Sequence, residues 1–256
     1  MANLEFFQFN CRQDNFGVLI HDATLGITAS IDAPDTGAIK RALAEKGWSL
    51  THILCTHHHF DHVEGNLALK EEFGCEIIGP KDEADKIPGF DRGVSGGESF
   101  EFGTSNVEVI ASGGHTLGEI CYHFPESKVV FTGDTLFALG CGRVFEGDPP
   151  MMWQSLQRLM QLPADTQVYC GHEYTLTNAR FAVTIDPDNE QLNLRAKEIE
   201  QLRGDGKPTL PTTIGVELAT NPFLRPDNAA IRKVLAMENS TDVEVFAEIR
   251  HRKDNF

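Results

Sequence analysis

The chain has 256 residues, 41% hydrophobic and 23% charged, which supports a buried core and excludes a disordered or collagen-like polymer. With 22 basic against 38 acidic side chains, the formal net charge is −16, which counts against nucleic acid and anionic membrane as general partners. No run reaches the roughly 18 apolar residues of a spanning helix, and residues 1–17 interleave Glu5, Gln8 and Asn10 with phenylalanines without a basic start, so a soluble cytoplasmic protein is expected.

In chain order, β-like runs are expected at 18–21, 27–31, 51–55, 76–78, 107–111, 120–124, 128–131 and 167–170. Helical stretches at 36–46, 62–72 and 150–161 interrupt them, which indicates layered α/β architecture and not a pure sandwich. From about Thr175 helical signals dominate. Leu192, Ala196, Ile199 and Leu202 mark one helix face, and Gly204-Asp205-Gly206-Lys207-Pro208 closes that helix. Asp227 is a candidate cap for a helix through Met237, and Thr241 or Asp242 for another into the C-terminus. Cys11, Cys55, Cys75, Cys121, Cys141 and Cys170 are scattered, form no Cys-x-x-Cys pair and read as buried thiols.

The strongest chemical signal is Thr56-His57-His58-His59-Phe60-Asp61-His62, directly after the apolar run Ile53-Leu54-Cys55. Four of the ten histidines and one aspartate fall within six residues at a strand end. Imidazole and carboxylate together suit Zn²⁺, Fe or Mn²⁺. His115, Asp134 and His172 each follow another β-like run through glycine-containing turns. Donors at several strand ends can converge on one edge of an α/β layer.

This pattern, His57-x-His59-x-Asp61-His62 followed by His115, Asp134 and His172, resembles the ligand set of the metallo-β-lactamase superfamily. Over nearly its whole length the chain resembles the glyoxalase II (hydroxyacylglutathione hydrolase) family, through Gly140-Cys141-Gly142-Arg143, Gly171-His172-Glu173-Tyr174 and Arg250-His251-Arg252-Lys253. The resemblance implies an αββα sandwich over residues 1–172 and an α-helical, glutathione-binding domain over 173–256. It assigns His57, His59 and His115 to one divalent ion and Asp61, His62 and His172 to a second, with Asp134 bridging. Zinc is expected first, with iron or manganese as alternatives. His58 and Phe60 should point elsewhere, and Glu119 stands where the family usually has a second histidine.

The same resemblance implies attack on a thioester carbonyl by a metal-bridging hydroxide held by Asp134, with Asp61. It places Arg143, Tyr174, Arg250 and Lys253 at substrate positions, with Arg250 and Lys253 on the glycine carboxylate of glutathione. Arg250 also lies four residues after Phe246 on the same expected helix face. The expected activity is hydrolysis of S-(2-hydroxyacyl)glutathione, chiefly S-D-lactoylglutathione, by a monomer acting on a small molecule. The alternative is a persulfide dioxygenase-like protein, or another hydrolase of the superfamily; metal stoichiometry separates the dioxygenase, which is expected to use one iron.

Overall fold

The computed structural model describes residues 4–256. Residues 1–3, part of the N-terminal stretch read above, lie outside it. The described chain forms two compact units: one runs to Ser112 and resumes over Thr116–Gly133, and the other comprises Gly113–His115 and Asp134–Phe256.

The first unit is built on two sheets. One has the order β1 (Leu4–Cys11), β2 (Asn15–Asp22), β3 (Ile27–Ile31), β4 (His52–Leu54), β5 (Glu76–Pro80) and β6 (Arg92–Val94). The first three strands pair antiparallel, and β3 to β6 run parallel. The other sheet pairs β7 (Ser99–Phe102), β8 (Ser105–Ala111), β9 (Ile120–Phe124) and β10 (Val129–Phe131) antiparallel in sequence order. Both sheets meet through aromatic side chains. Phe6 lies 6.5 Å from the Phe124 ring and 6.2 Å from that of Phe131, and the Tyr122 hydroxyl donates to the Cys55 carbonyl at 2.8 Å. Helices α1 (Thr36–Lys46) and α3 (Asn66–Phe73) bury Ile39, Ala42, Leu43 and Leu69 with Leu19, Ile53 and Ile77 of the first sheet. With both faces covered, Val18, Leu19 and Ile20 are all buried, which is why this segment reads as a continuous apolar run without alternation.

Most expected elements of this unit appear within a residue or two. Helix α1 has the expected bounds, set by Asp35 accepting from Ala38 N and by Gly47 at φ 69°. The single helix expected over 62–72 is two: α2 (Phe60–Val63) and α3, broken at Gly65. Gly65 N donates to the Ala33 carbonyl at 2.9 Å, and a Cβ there would lie 3.0 Å from that oxygen. The approach to Ala33 therefore favours glycine, and the break separates Asp61 and His62 from the following helix. Strands β1, β6 and β7 were not anticipated. Inter-strand pairing of β1 across its whole length with β2 overrides its weak local pattern.

The second unit contains the short hairpin β11 (Leu136–Phe137) and β12 (Gly140–Cys141), helix α4 (Pro149–Leu159), and the antiparallel pair β13 (Gln167–Tyr169) and β14 (Thr212–Thr213). Helices α5 (Thr175–Ile185), α6 (Glu190–Gly204), α7 (Ile214–Thr220), α8 (Ala229–Leu235) and α9 (Asp242–Asp254) complete it. Leu192 and Ile199 of α6 pack on Leu139, Ala179 and Ala182, as the apolar spacing of that helix requires. Asn228, not Asp227, caps α8. Thr241 and Glu244 form a reciprocal capping box at the start of α9, whose Phe246 packs on Trp153 at 5.8 Å.

All six cysteines are free and buried. Burial pushes the Cys11 thiol up to about 12 and the Cys141 thiol to about 11. At pH 8 a thiol-reactive disulfide reagent should therefore label none of them in the folded protein and all six after denaturation. A thiol that reacts promptly in the native state would contradict this burial.

Candidate metal centre

In the first unit, β4 delivers the chain to Thr56 and the histidine-rich loop, and one buried carboxylate organises it. Asp32 accepts from Thr56 N at 2.7 Å and Thr56 Oγ1 at 2.9 Å, and its Oδ2 accepts from His62 Nδ1 at 2.7 Å. Because the Thr56 hydroxyl proton is committed to Asp32, its oxygen accepts from His57 Nδ1 at 3.0 Å. Both imidazoles thus carry the proton on Nδ1 and present an Nε2 lone pair. His57 and His59 ring centroids are 4.8 Å apart, and those of His57 and His62 4.1 Å. Asn15 Nδ2 donates to Asp61 Oδ2 at 3.1 Å and to the Asp61 carbonyl at 3.2 Å, orienting this carboxylate. Asp61 Oδ2 then stands 3.7 Å from His62 Nε2.

His58 and Phe60, the residues between the expected ligands, have other partners, although the His58 ring also lies 5.1 Å from that of His59. His58 turns its Nδ1 to Glu83 at 2.8 Å. The Phe60 ring is exposed with the Arg12 guanidinium 5.2 Å from its centroid. Glu119 is buried, with Oε1 3.8 Å from His57 Nδ1. The departure from the family pattern therefore places a carboxylate beside a donor histidine.

In the second unit, His115 Nδ1 donates to the Arg143 carbonyl at 2.8 Å, which again leaves Nε2 as the lone-pair atom. That Nε2 lies 3.5 Å from Asp134 Oδ2, and His172 Nε2 lies 3.4 Å from the same oxygen. These separations are too long for hydrogen bonds. They match the roughly 3.3–3.4 Å between two ligands of one tetrahedral ion with bonds near 2.0–2.1 Å. Gly142 is needed here, since a Cβ would overlap the Asp134 carbonyl oxygen. Among the described residues, the donor set fits a metal, and one oxygen of Asp134 faces two imidazole nitrogens.

The expected substrate residues also lie in this unit. Tyr174 stacks on His172, with centroids 4.7 Å apart and planes within 3°. The exposed Arg143 reaches Asp254 with its Nε at 3.8 Å. Arg250 is buried: its Nη1 donates to the Cys141 carbonyl at 2.8 Å, its Nη2 donates to Asp254 at 2.9 Å, and the guanidinium lies over the Phe223 ring. Lys253 Nζ donates to the Thr177 carbonyl at 3.3 Å beside the Phe181 and Phe256 rings. Burial, then the nearby Arg250 and Arg143 charges, push the Lys253 ammonium down to about 8, with Asp254 partly opposing.

Sequence reasoning did not single out two further groups. Asp32 follows the run 27–31 just as Asp134 follows β10, so the signal that identified Asp134 was available for it. Glu217 had no local signal. Fully buried on α7, it accepts from Leu139 N at 2.8 Å and from Asn221 Nδ2 at 3.0 Å, and pairs with Arg195. Asn221 also donates to the Gly140 carbonyl at 3.0 Å, and Asn178 to that of Ala138 at 3.1 Å. This network holds the β11–β12 hairpin, which leads into Arg143.

Residues 17–172 match the family model of the metallo-beta-lactamase superfamily, and residues 173–256 match that of the hydroxyacylglutathione hydrolase C-terminus. The hydroxyacylglutathione hydrolase of Rhizobium johnstonii is 61% identical over 256 residues, covering 100% of both chains, and that of Rhizobium meliloti is 60% identical with the same coverage. Among solved structures, ETHE1 from Myxococcus xanthus aligns at 27% identity with a TM-score of 0.69, over 96% of this chain and 90% of its own. BLEG-1 B3 metallo-beta-lactamase shares the fold at 21% identity and a TM-score of 0.67, over 86% of this chain and 100% of its own. Fold and donor set together define a metal-binding protein of the metallo-β-lactamase superfamily. With a second matched segment and relatives of 60% identity along its entire length, the chain belongs to the hydroxyacylglutathione hydrolase (glyoxalase II) family.

The Asp32 carboxylate can be tested without any metal. Asp32→Ala leaves three buried donors without their acceptor, at about 1–3 kcal/mol for each group not rescued by water. Urea denaturation of the chelated protein should show a loss of at least about 2 kcal/mol. Unchanged stability would mean that Asp32 does not organise the loop.

Proposed function

We propose that the protein hydrolyses S-(2-hydroxyacyl)glutathione thioesters, chiefly S-D-lactoylglutathione, to the hydroxy acid and glutathione, the second step of methylglyoxal detoxification. The observation that carries this reading is the presence, along one chain, of the seven-residue donor set and a segment, 173–256, that matches the hydroxyacylglutathione hydrolase C-terminus. Under it, His57, His59 and His115 hold one divalent ion, Asp61, His62 and His172 a second, and Asp134 bridges them. The two near-equal separations at Asp134 Oδ2 support a bridging role. Zinc is proposed first, although the same nitrogen and oxygen donors accept iron or manganese.

When bound, such ions polarise a carbonyl and lower the pKa of water toward 7. The chain's own residues supply position. Asp32, Thr56 and the Arg143 carbonyl fix three imidazoles in the tautomer that leaves Nε2 free to ligate, and Asn15 holds Asp61. Burial pushes the thiols of Cys11, Cys55, Cys75, Cys141 and Cys170 up, so they provide no nucleophile, and Cys121 is buried as well. A thiolate leaves readily because its parent thiol has a pKa of only about 8.5. Lys253 and Arg143 bring positive charge to the glycine carboxylate of glutathione. Arg250, whose two Nη atoms are engaged, adds charge and holds the Cys141-Gly142-Arg143 segment. We further propose that the protein works as a cytoplasmic monomer on this small molecule, without nucleic-acid or membrane partners. Among the described residues no helix is long and apolar enough to cross a membrane.

Steady-state hydrolysis of S-D-lactoylglutathione with metal analysis on the same batch tests the reading. About two ions per chain and turnover are expected, and Asp134→Ala should deplete both ions. Metal-replete protein without thioesterase activity would refute it. One iron per chain with persulfide oxidation would transfer the chain to the dioxygenase class.

The Lys253 ammonium gives a separate prediction. Its charge is present below pH 8 and is lost above it. If it binds the substrate carboxylate, KM should rise with pH through about 8 while kcat follows a different profile. Lys253→Ala should raise KM roughly tenfold at pH 7 and abolish that rise. A wild-type KM that is flat from pH 7 to 9 would remove Lys253 from the binding role.

A further inference from the structure

Glu83 lies in the 3₁₀ turn Lys81–Lys86 that follows β5, and it is 2% exposed. A carboxylate taken that far from water needs several donors or a cation. Glu83 has the donors. Its Oε2 accepts from His58 N at 2.8 Å and also meets His58 Nδ1 at 2.8 Å. Its Oε1 accepts from Thr116 Oγ1 at 2.5 Å and from Gly118 N at 3.0 Å. The fit is close: a Cβ on residue 118 would stand 2.7 Å from Glu83 Cγ, so only glycine allows the backbone to approach.

Those four donors come from two stretches far apart in sequence. His58 is the residue between His57 and His59, and Thr116 follows His115 directly. By taking both the backbone N–H and the ring Nδ1 of His58, the carboxylate fixes the peptide between two donor histidines and engages one nitrogen of the intervening ring. By taking Thr116 Oγ1 and Gly118 N, it fixes the start of the segment after a third. From this we infer that Glu83 is a positioning residue of the metal centre: an anionic clamp that sets the spacing of the His57–His59 loop and the Thr116–Gly118 turn without itself being a ligand. The inference rests on the metal-binding reading above and adds to it a residue outside the seven donors.

The chemistry of glutamine makes the test sharp. In Glu83→Gln the side-chain volume is kept, but one oxygen becomes an NH₂ that faces N–H or O–H donors, so one of the two stretches is released. Outer partners of metal ligands typically contribute 10- to 100-fold in metal affinity or activity. With the full-length protein loaded with zinc, release into a chromogenic chelator should be at least about tenfold faster for Glu83→Gln than for wild type. KM for the thioester should change less than twofold while kcat falls. Thr116→Val removes one donor only and should give an intermediate release rate. The melting temperature of the chelated proteins is measured alongside. A Glu83→Gln protein that melts lower yet releases zinc at the wild-type rate would show a purely structural role and overturn the inference. If Glu83→Gln does not fold, wild-type release from Thr116→Val overturns it equally. Wild-type protein that binds no zinc, iron or manganese would instead remove the metal reading itself, and the clamp with it.

Discussion

Two lone-pair acceptors pointed at each other inside a protein repel, and the second unit sets His115 Nε2, whose Nδ1 donates to the Arg143 carbonyl, 3.5 Å from an oxygen of Asp134 that also lies 3.4 Å from His172 Nε2. Both separations exceed those of a good hydrogen bond and fit two ligands of one ion. The arrangement calls for positive charge between the atoms, and burial raises the penalty for leaving it out. Much of the surrounding structure serves to hold such atoms in place. Proton positions on the far sides of the rings are fixed by acceptors that cannot donate: the Asp32 carboxylate and the Arg143 carbonyl, with Thr56 Oγ1 made an acceptor because its proton goes to Asp32. The tautomers therefore follow from the hydrogen-bond pattern itself.

The two units solve the same problem by different means. In the first, the donors sit just beyond the ends of parallel strands, and compact carboxylates at positions 32 and 83 tie the loop down. In the second, the hairpin leading to Arg143 is too short to be stable alone. It is held by helices through Glu217, Asn221 and Asn178, with Arg195 keeping the Glu217 charge paired. Removing Glu217 would leave an arginine and a backbone N–H without their acceptor, so the hairpin's geometry depends on residues near 217–221. The helical segment thus supports this hairpin as well as carrying proposed substrate contacts.

How much of this was legible in the sequence depended on the range of the interaction. The candidate donors could be picked out because strand ends and glycine turns are local features, and because chemistry restricts which side chains bind metal. Helices α1 and α9 were readable because their caps are local: Asp35 and Gly47 for the first, Thr241 and Glu244 for the second. The break at Gly65 was not, since it is imposed by the Ala33 carbonyl 32 residues earlier in the chain. Glu83 and Glu217 look like ordinary acidic residues in polar stretches, and only their distant donors reveal them. Arg250 shows the limit from the other side. Its place on an apolar helix face was correctly legible, while its bond to the Cys141 carbonyl, 109 residues away in sequence, was not.

The burial of every cysteine has a practical side. The described surface carries no sulfhydryl, although the chain has six, because each sits in a core or under a helix. A cysteine introduced at an exposed position such as Leu25 or Leu194 would become the single attachment point for a spin label or fluorophore. Native residues would not need to be removed first. Pairs of such labels, one in each unit, would report the distance between the units in solution directly.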